Sequence, residues 1–417
     1  MRIRCISKFS PRRPVHRCPP VESANGVDAR RHVMTAASVY LHVPFCRQRC
    51  SYCDFFRVTD AEGTHPLAAR WFDLLWQELL LWRAEGAVSP ETPLRTIYMG
   101  GGTPSLTTPR VIGDFLNRVR GEFAVASDCE ITLEMQPGTT TRAGVEELAA
   151  AGINRFSVGA QTFSQRWLDL SGRRHSADDT RTTITAVREV AGDTALSVDL
   201  IAAWPGQDLT ALRGDVEEAL SFGPAHLSVY ELTFKDGTEL ARAEGAGEVV
   251  ALSEDDRAEM FIEVACLAAA AGLAQYEVSN FARPGSESRH NTAYWTLDDC
   301  VGLGAGAHSL VWPHRYSNPH DLGGYAASVE QGRLFRVVND AADPEIFAAE
   351  NLFMALRLLR GVDLDWFAGR VGSDVRQTHA IALARLQEAG LVELNDSLLR
   401  LTSEGLLRAD GIAALFV

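Results

Sequence analysis

The chain has 417 residues, of which 46% are hydrophobic, and its formal net charge is -14. Such a chain can bury a large core without disulfides, and its acidic balance disfavours a general nucleic-acid binder, which needs a basic face for the phosphates. Three of the eight cysteines lie within eight positions. This spacing favours a metal site in a reducing, cytoplasmic compartment over a disulfide framework.

The N-terminal segment, residues 1–36, differs in charge from the rest of the chain. Its first 33 residues hold eight Lys or Arg against two acidic residues. The segment lacks an apolar run long enough for a secretory signal or a membrane span, so neither is predicted. It is predicted to be a disordered basic leader. An arginine-rich, acid-poor leader is also typical of an organelle transit peptide. A dispensable leader or an upstream start codon before Met34 is the alternative.

From residue 37 to 312, short β-branched runs alternate with helical stretches, a pattern typical of parallel strands joined by crossover helices. The predicted strands are 38–43, 96–100, 130–136, 155–160, 196–202 and 226–233, with 275–280 as a candidate extra strand. The predicted helices are 67–83, 109–120, 142–151, 178–190, 209–221 and 254–271. Six repeats predict an α/β fold, an open, partial (β/α)6 barrel whose reactive groups gather at the carboxyl ends of the strands.

Beyond residue 312 the alternation stops. A polar stretch with prolines and glycines, 313–343, is predicted to be a linker, and 345–360 a helix. Within 344–417, a hairpin is predicted from strands 391–394 and 398–401, joined by a turn at Asn395-Asp396. The pattern favours a small C-terminal winged-helix-like α+β domain. Such domains often bind DNA, but this one is not notably basic, so no nucleic-acid partner is expected.

Three cysteines, Cys46, Cys50 and Cys53, follow the first predicted strand and can reach one metal centre. Three thiolates leave one iron of a [4Fe-4S] cube free for an exchangeable ligand, whereas a pure electron carrier normally fills all four positions. The spacing therefore predicts a cluster that takes part in chemistry or substrate binding. The alternative is a zinc site, which needs a fourth Cys or His at similar spacing; His42 is a poor candidate because it belongs to the strand pattern.

The Cys-x3-Cys-x2-Cys spacing, the aromatic Tyr52 and the motifs on later strands resemble the radical SAM superfamily, in which S-adenosylmethionine (SAM) binds the open iron. More specifically, the chain resembles the coproporphyrinogen-oxidase-like branch and, within it, the HemW heme chaperone family. Oxygen-independent coproporphyrinogen III oxidases have a further Cys two positions after the third cluster Cys, where this chain has Phe55. The resemblance covers nearly all of residues 38–417.

A glycine run, Gly100-Gly101-Gly102-Thr103, follows the second predicted strand. Glycines let the backbone approach a ligand and expose N–H groups, although a tight turn would use the same residues. Acids and amides at strand ends suit ribose hydroxyls and ammonium, and arginine suits a carboxylate. The resemblance implies the following cofactor-binding residues: Tyr40, Tyr52, Gly101, Gly102, Thr103, Glu134, Gln161, Arg173 and Asp199. Gln136 and Trp204 depart from the usual family pattern, and the bulky Trp204 is expected to reshape the far wall of the cavity.

The segment from Arg289 to Trp295 resembles the His-Asn-x-x-Tyr motif of the heme chaperone family. Imidazole and phenolate are both axial ligands of heme iron, so His290 and Tyr294 are the predicted heme ligands. A His and a Tyr four positions apart also pack together on any helix, which is the alternative. A small-residue loop ends at His308, but it is not a dinucleotide fingerprint, and His308 is expected to be structural.

Two main functions follow from these residues. The first is a heme chaperone that holds heme near the cluster and SAM and delivers it to an acceptor protein. The second is a radical SAM oxidase of porphyrin biosynthesis, which would use a flavodoxin or ferredoxin as electron donor if SAM is cleaved. Phe55 and the His-Asn-x-x-Tyr motif favour the first. A DNA-binding regulator, the remote third reading, would need a basic recognition helix that the sequence lacks.

Overall fold

A computed structural model describes residues 36–340, 343–413 and 415–416. Six parallel strands form its centre: β1 Ser38–Val43, β2 Leu94–Gly101, β3 Val125–Met135, β4 Arg155–Gln161, β5 Leu196–Ala202 and β6 His226–Glu231. Each pairs in parallel with the next in chain order. This confirms the predicted partial (β/α)6 barrel. The predicted leader lies outside the described residues, except for its last position.

Helices follow the strands and cover the barrel. They are α1 Trp71–Ala84, α2 Pro109–Glu122, α3 Arg142–Ala151, α4 Gln165–Leu170, α5 Ala177–Ala191, α6 Leu209–Ser221, α7 Glu239–Gly245, α8 Glu254–Ala270 and α9 Arg289–Trp295. Along β1, the alternate residues Val39 and Leu41 lie in the main hydrophobic core. Tyr40 instead stacks on Tyr98 of β2, with ring centroids 6.0 Å apart. Because side chains alternate along a strand, this second set lines the interior of the barrel.

The sheet continues on both sides of the six strands. Beyond β6 come two antiparallel strands, β7 Ala274–Glu277 and β8 Asn280–Ala282, with β8 next to β6. On the other side β9 Cys300–Leu303 pairs in parallel with β1, and antiparallel strands follow: β10 His308–Val311, β11 His314–Ser317 and β12 Val337–Val338. The single extra strand predicted at 275–280 is therefore two strands, and the chain reverses between them.

Residues 313–340 hold regular structure, which corrects the predicted linker. They contain β11, the helix α10 Leu322–Glu330 and β12. Helix α10 buries Tyr325 and Val329 in the main core. The strands are only four and two residues long, so turn-forming residues dominate the composition, which therefore resembles that of a connection.

The C-terminal part is a small α+β unit. Its elements are α11 Pro344–Ala355, β13 Val362–Asp363, α12 Leu364–Val371, α13 Val375–Thr378, α14 Ala380–Glu388, β14 Val392–Asn395, β15 Leu398–Leu401, α15 Ser403–Leu406 and α16 Ala409–Ala413. They surround a second hydrophobic core that includes Phe367 and Leu399. The hairpin turns at Asp396, whose φ is 49°, as the predicted Asn-Asp turn requires. Within the described ranges, every helix is too short or too polar to cross a membrane.

Candidate functional site

The three predicted cluster ligands lie in one loop after β1, residues 44–60, here called the cysteine loop. Cys46 ends a two-residue strand that pairs with Val58–Thr59. Cys50 and Cys53 follow in a turn closed by a 3.3 Å bond from the Cys53 N–H to the Cys50 carbonyl. Two further backbone hydrogen bonds, of 2.8 and 2.7 Å, close the base of the loop. The loop is therefore fixed where it leaves the barrel.

Burial controls the acidity of the thiols in this loop. It raises the pKa of Cys46 to about 11 and also raises the pKa of Cys53, while the guanidinium of Arg57 acts on both in the opposite direction. Such thiols ionise when a metal replaces their protons. Thr103, which follows the glycine run, donates its hydroxyl to the Cys46 sulfur over 3.4 Å. The glycine run and the cysteine loop therefore meet at this sulfur.

The donor set suits a [4Fe-4S] cluster. Among residues 36–340, 343–413 and 415–416, no three His, Cys, Asp or Glu side chains converge on a single ion position. A cube does not need such convergence, because it binds its thiolates at three separate corners. Both amide atoms of Gln48 and the Nε and Nη2 atoms of Arg57 are buried without a hydrogen-bond partner. Buried polar atoms are normally paired, and these N–H groups suit the sulfides of a cluster.

The glycine run brings the end of β2 against β1. A side chain at Gly101, whose φ is 102°, would lie 2.4 Å from the imidazole of His42, and one at Gly102 would lie 2.6 Å from the Val43 carbonyl. No side chain fits at either position. The contact between the two strands therefore already requires glycine, and the N–H groups of Gly101 and Gly102 donate to Glu134 and to the Val43 carbonyl.

Glu134 of β3 lies beside this run. Its carboxylate accepts the hydroxyl of Tyr98 at 2.8 Å and the N–H of Gly101 at 3.1 Å. Burial raises the pKa of Glu134 to about 7, and the nearby Asp199 acts in the same direction, while the two donors lower it. Its remaining acceptor capacity suits an ammonium group, which would favour the ionised form.

Two further predicted residues lie on the next strands. Asp199 of β5 accepts hydrogen bonds from Ser157 at 2.7 Å and from Ser197 at 3.4 Å. Burial raises its pKa, although the serines oppose that shift. Gln161, at the end of β4, has a φ of 67°. Strained backbone of this kind persists where the surroundings hold it, often at functional sites. The structure thus brings Glu134, Gln161 and Asp199 to neighbouring strands, as predicted.

Arg173 connects the barrel to the cysteine loop. Its Nη1 donates to the carbonyl of Gly159 on β4 over 2.7 Å. Burial lowers the pKa of this guanidinium, but the nearby Tyr52 and Cys50 of the cysteine loop outweigh it, so the pKa of Arg173 is raised. Its Nε is buried without a partner. That free N–H suits the carboxylate predicted for this position.

Trp204, the departure from the family pattern, lies behind Tyr52. The two rings are edge to face, with centroids 5.7 Å apart. Trp204 is fully buried in a small apolar cluster that also contains Trp167 and Ile201. Trp204 therefore packs against Tyr52 and supports the cysteine loop at that residue.

His290 and Tyr294 lie at the other end of the barrel from the cysteines. His290 Nδ1 is 2.7 Å from Thr96 Oγ1, and its Nε2 is 2.8 Å from the Tyr294 hydroxyl. Thr96 pairs with Ser38, the first residue of β1, whereas the cysteine loop follows the last. At a rise of about 3.3 Å per residue, β1 separates the two ends by roughly 16 Å.

The imidazole of His290 is fully engaged in the interior. The residue is 1% exposed, and burial lowers its pKa to about 3. The ring stacks on Tyr98 at 4.9 Å and 23°, and the backbone N–H donates to Glu130 at 3.0 Å. Because both ring nitrogens have partners, neither is free to bind iron in this conformation. Heme ligation by His290 and Tyr294 stays a prediction.

Two residues of this region escaped the sequence reasoning. Tyr98 links Glu134 to His290, and its position two residues before Gly100 on the interior face of β2 was the available signal. Glu78 of α1 is wholly buried and accepts the N–H of Gly304 and the hydroxyl of Tyr325, each at 2.7 Å. A lone acid within the apolar stretch of α1 was its signal.

Comparisons with known proteins agree with this geometry. The profile of the Radical SAM superfamily matches residues 40–219, and that of the HemN C-terminal domain matches residues 342–408. The solved structure of coproporphyrinogen III oxidase (HemN) from Escherichia coli, titled a radical SAM enzyme, superposes with a TM-score of 0.76. It covers 92% of this chain and 91% of its own at 22% identity, which establishes a common fold.

Sequence relatives define the family more narrowly. The heme chaperone HemW of Mycobacterium tuberculosis is 35% identical over 376 residues, which are 90% of this chain and 93% of the relative. HemW of Bacillus subtilis is 31% identical over 91% of this chain and 99% of its own length. Radical SAM membership implies a [4Fe-4S] cluster and SAM. The chain belongs to the HemW heme chaperone family of the radical SAM superfamily.

Proposed function

We propose that this protein is a heme chaperone that binds a [4Fe-4S] cluster, SAM and heme and delivers heme to an acceptor protein. One observation supports it most directly: the cysteine loop offers three thiols, and the position two after the third holds Phe55, which is 65% exposed. The loop can therefore hold an open-iron cluster without the additional Cys of the oxidases. Free thiols at Cys46, Cys50 and Cys53 fit a reducing compartment, the cytoplasm.

The residues would divide the binding of the cofactors as follows. Cys46, Cys50 and Cys53 would hold the cluster, which in its reduced form supplies an electron to SAM; a flavodoxin or ferredoxin would be the donor. Glu134 would bind the ammonium group of SAM, and Arg173 its carboxylate. Interior hydroxyl, amide and carboxyl groups would bind the ribose and adenine; these residues are Tyr40, Tyr52, Gln161 and Asp199, together with the backbone of Gly101, Gly102 and Thr103.

Heme is the least constrained of the three ligands. His290 and Tyr294 are the family-motif ligands, and His290 would have to release Thr96 or Tyr294 before it could bind iron. Each such hydrogen bond is worth about 1 kcal/mol. Because His290 is 1% exposed, the packing around it would also have to open before iron could reach the ring.

The test uses anaerobically reconstituted full-length protein. We expect one cluster per chain from iron and sulfide determination, and its loss in Cys50→Ala. Hemin titration should give a saturable Soret band, and bound heme should pass to an apo hemoprotein. Incubation with SAM, dithionite and coproporphyrinogen III should yield no decarboxylated product. Formation of that product, or the absence of saturable heme binding, would contradict the proposal.

A further inference from the structure

Histidines also lie beside the cysteine loop, outside the cluster and SAM sites. The ring of His320 stacks on Phe56, with centroids 4.8 Å apart and an interplanar angle of 19°. Phe56 also faces His42 at 6.2 Å and 26°, and its carbonyl is 2.8 Å from His42 Nε2. Phe56 comes three positions after Cys53. One wall of the cysteine loop is therefore an aromatic face that contacts two imidazoles.

His308 lies next to this wall. It begins β10 and is exposed. The N–H of Asn318 donates to the Ala307 carbonyl over 2.8 Å, which holds the segment leading to His320 against the one leading to His308. Partial burial of its ring lowers the pKa of His308, and the charge of His320 lowers it further, as expected for neighbouring imidazoles.

Hydrogen bonds to Glu78 of α1 fix both histidine-bearing segments. Gly304 donates its N–H to Glu78 over 2.7 Å, and the Asn318 amide donates to the other carboxylate oxygen over 2.8 Å. Gly306 packs directly on the cysteine loop, because a side chain there would lie 2.8 Å from Phe56. One buried acid thus sets the positions of both histidine-bearing segments relative to the loop, so little ordering is needed when a ligand binds.

These imidazoles differ from His290 in access. His308 and His320 are exposed, whereas His290 is 1% exposed and has both nitrogens engaged. Phe55, the neighbour of Phe56, is 65% exposed. A heme is a flat apolar macrocycle whose iron binds imidazole, so exposed histidines beside the exposed Phe55 and the half-buried Phe56 match its chemistry. A cargo that is handed to another protein must also be reachable by it.

We propose that His308 and His320, with Phe55 and Phe56, form a heme-docking surface on which an exposed imidazole binds the iron. This inference rests on the proposed chaperone function and assigns that function to a place other than the His-Asn-x-x-Tyr motif. The heme on this surface lies against the cysteine loop, on the cluster side of the barrel.

The test compares hemin titrations of the reconstituted full-length protein and three variants, with the cluster absorbance as a check of folding. The double variant His308→Ala/His320→Ala should raise the Kd for hemin at least about tenfold and shift the Soret band. His314→Ala, an exposed histidine on the neighbouring β11 that pairs with Asp340, is the matched control and should change the Kd less than about twofold. In His308→Gly/His320→Gly, added imidazole should restore the Soret position.

Three outcomes are distinguishable. Weakened binding in the double variant with imidazole rescue supports the docking surface. Wild-type affinity and an unchanged Soret band in the double variant overturn it, while the chaperone function stands. If wild-type protein shows no saturable hemin binding, the chaperone function itself fails, and the docking surface fails with it.

Discussion

At the scale of single residues, Thr103 links the glycine run to the cysteine loop through one hydrogen bond to Cys46. Hydrogen bonds to a ligating sulfur stabilise the more negative, reduced state of a cluster. Thr103→Val keeps the shape and removes the donor. We expect it to lower the midpoint potential by on the order of 40 mV, the equivalent of 1 kcal/mol for one electron. A potentiometric titration followed by electron paramagnetic resonance measures this shift.

Thr108→Val is the matched control for that substitution. Thr108 is exposed, precedes α2, and its side chain caps no helix N–H. The midpoint potential of the cluster in Thr108→Val should equal that in the wild type. Equal potentials in all three proteins would show that the bond from Thr103 to Cys46 does not form in the loaded protein.

Glu134 is expected to make SAM binding dependent on pH. Burial raises its pKa to about 7, so the carboxylate is ionised above that pH and neutral below it. Only the ionised form attracts the SAM ammonium group strongly, so SAM affinity should fall as the pH is lowered from 8 to 6. Glu134→Gln should lose roughly tenfold in affinity at pH 8 and lose the pH dependence between 6 and 8. Calorimetric titration with SAM at several pH values tests both. A wild-type affinity that is flat across this range would contradict the assignment.

At the scale of elements, α9 stabilises the fold, because its His290 is buried and hydrogen-bonded to Thr96 and Tyr294. His290→Ala would leave a cavity and strip the hydroxyls of Thr96 and Tyr294 of a partner, which should cost about 3 kcal/mol of unfolding free energy. Tyr294→Phe keeps the ring and should cost about 1 kcal/mol. Thermal and urea denaturation of the two variants would measure the difference. A fully stable His290→Ala would contradict the packing described here. Because both variants are expected to lose stability, a loss of heme binding in them must be compared with their measured unfolding free energy.

The same helix shows where sequence reasoning reached its limit. The strands β1 to β6 were predictable, because short β-branched runs between helical stretches are local properties of the sequence. The placement of His290 was not, because it depends on Thr96 and Tyr98, almost two hundred positions earlier in the chain. The motif indicated a chemistry, and only the tertiary contacts show that its imidazole is already engaged.

At the scale of the whole molecule, the strands and the helix that lie outside the six-stranded barrel position the residues of the proposed heme-docking surface. Residues 313–340 look like a connection in composition, yet their strand β11 and helix α10 join the sheet and the main core. His320 lies in this stretch, and His308 begins the strand β10 just before it. The sequence assigned His308 a structural role, because nothing local indicated that Glu78 of α1 would fix two distant segments beside the cysteine loop.

This arrangement predicts that the cluster and heme affect each other's binding. Phe56 belongs to the cysteine loop, the proposed site of the cluster, so loss of the cluster should loosen the aromatic wall and weaken hemin binding by roughly fivefold, a coupling of about 1 kcal/mol. The measurement is the Kd for hemin with wild-type protein before and after cluster removal, and with Cys50→Ala. Cys129→Ala is the control, because it removes a buried thiol of β3 that lies outside the loop. Equal affinities with and without the cluster would mean that heme binds away from the cysteine loop. The end of the barrel at His290 and Tyr294 would then be the stronger candidate for the heme site.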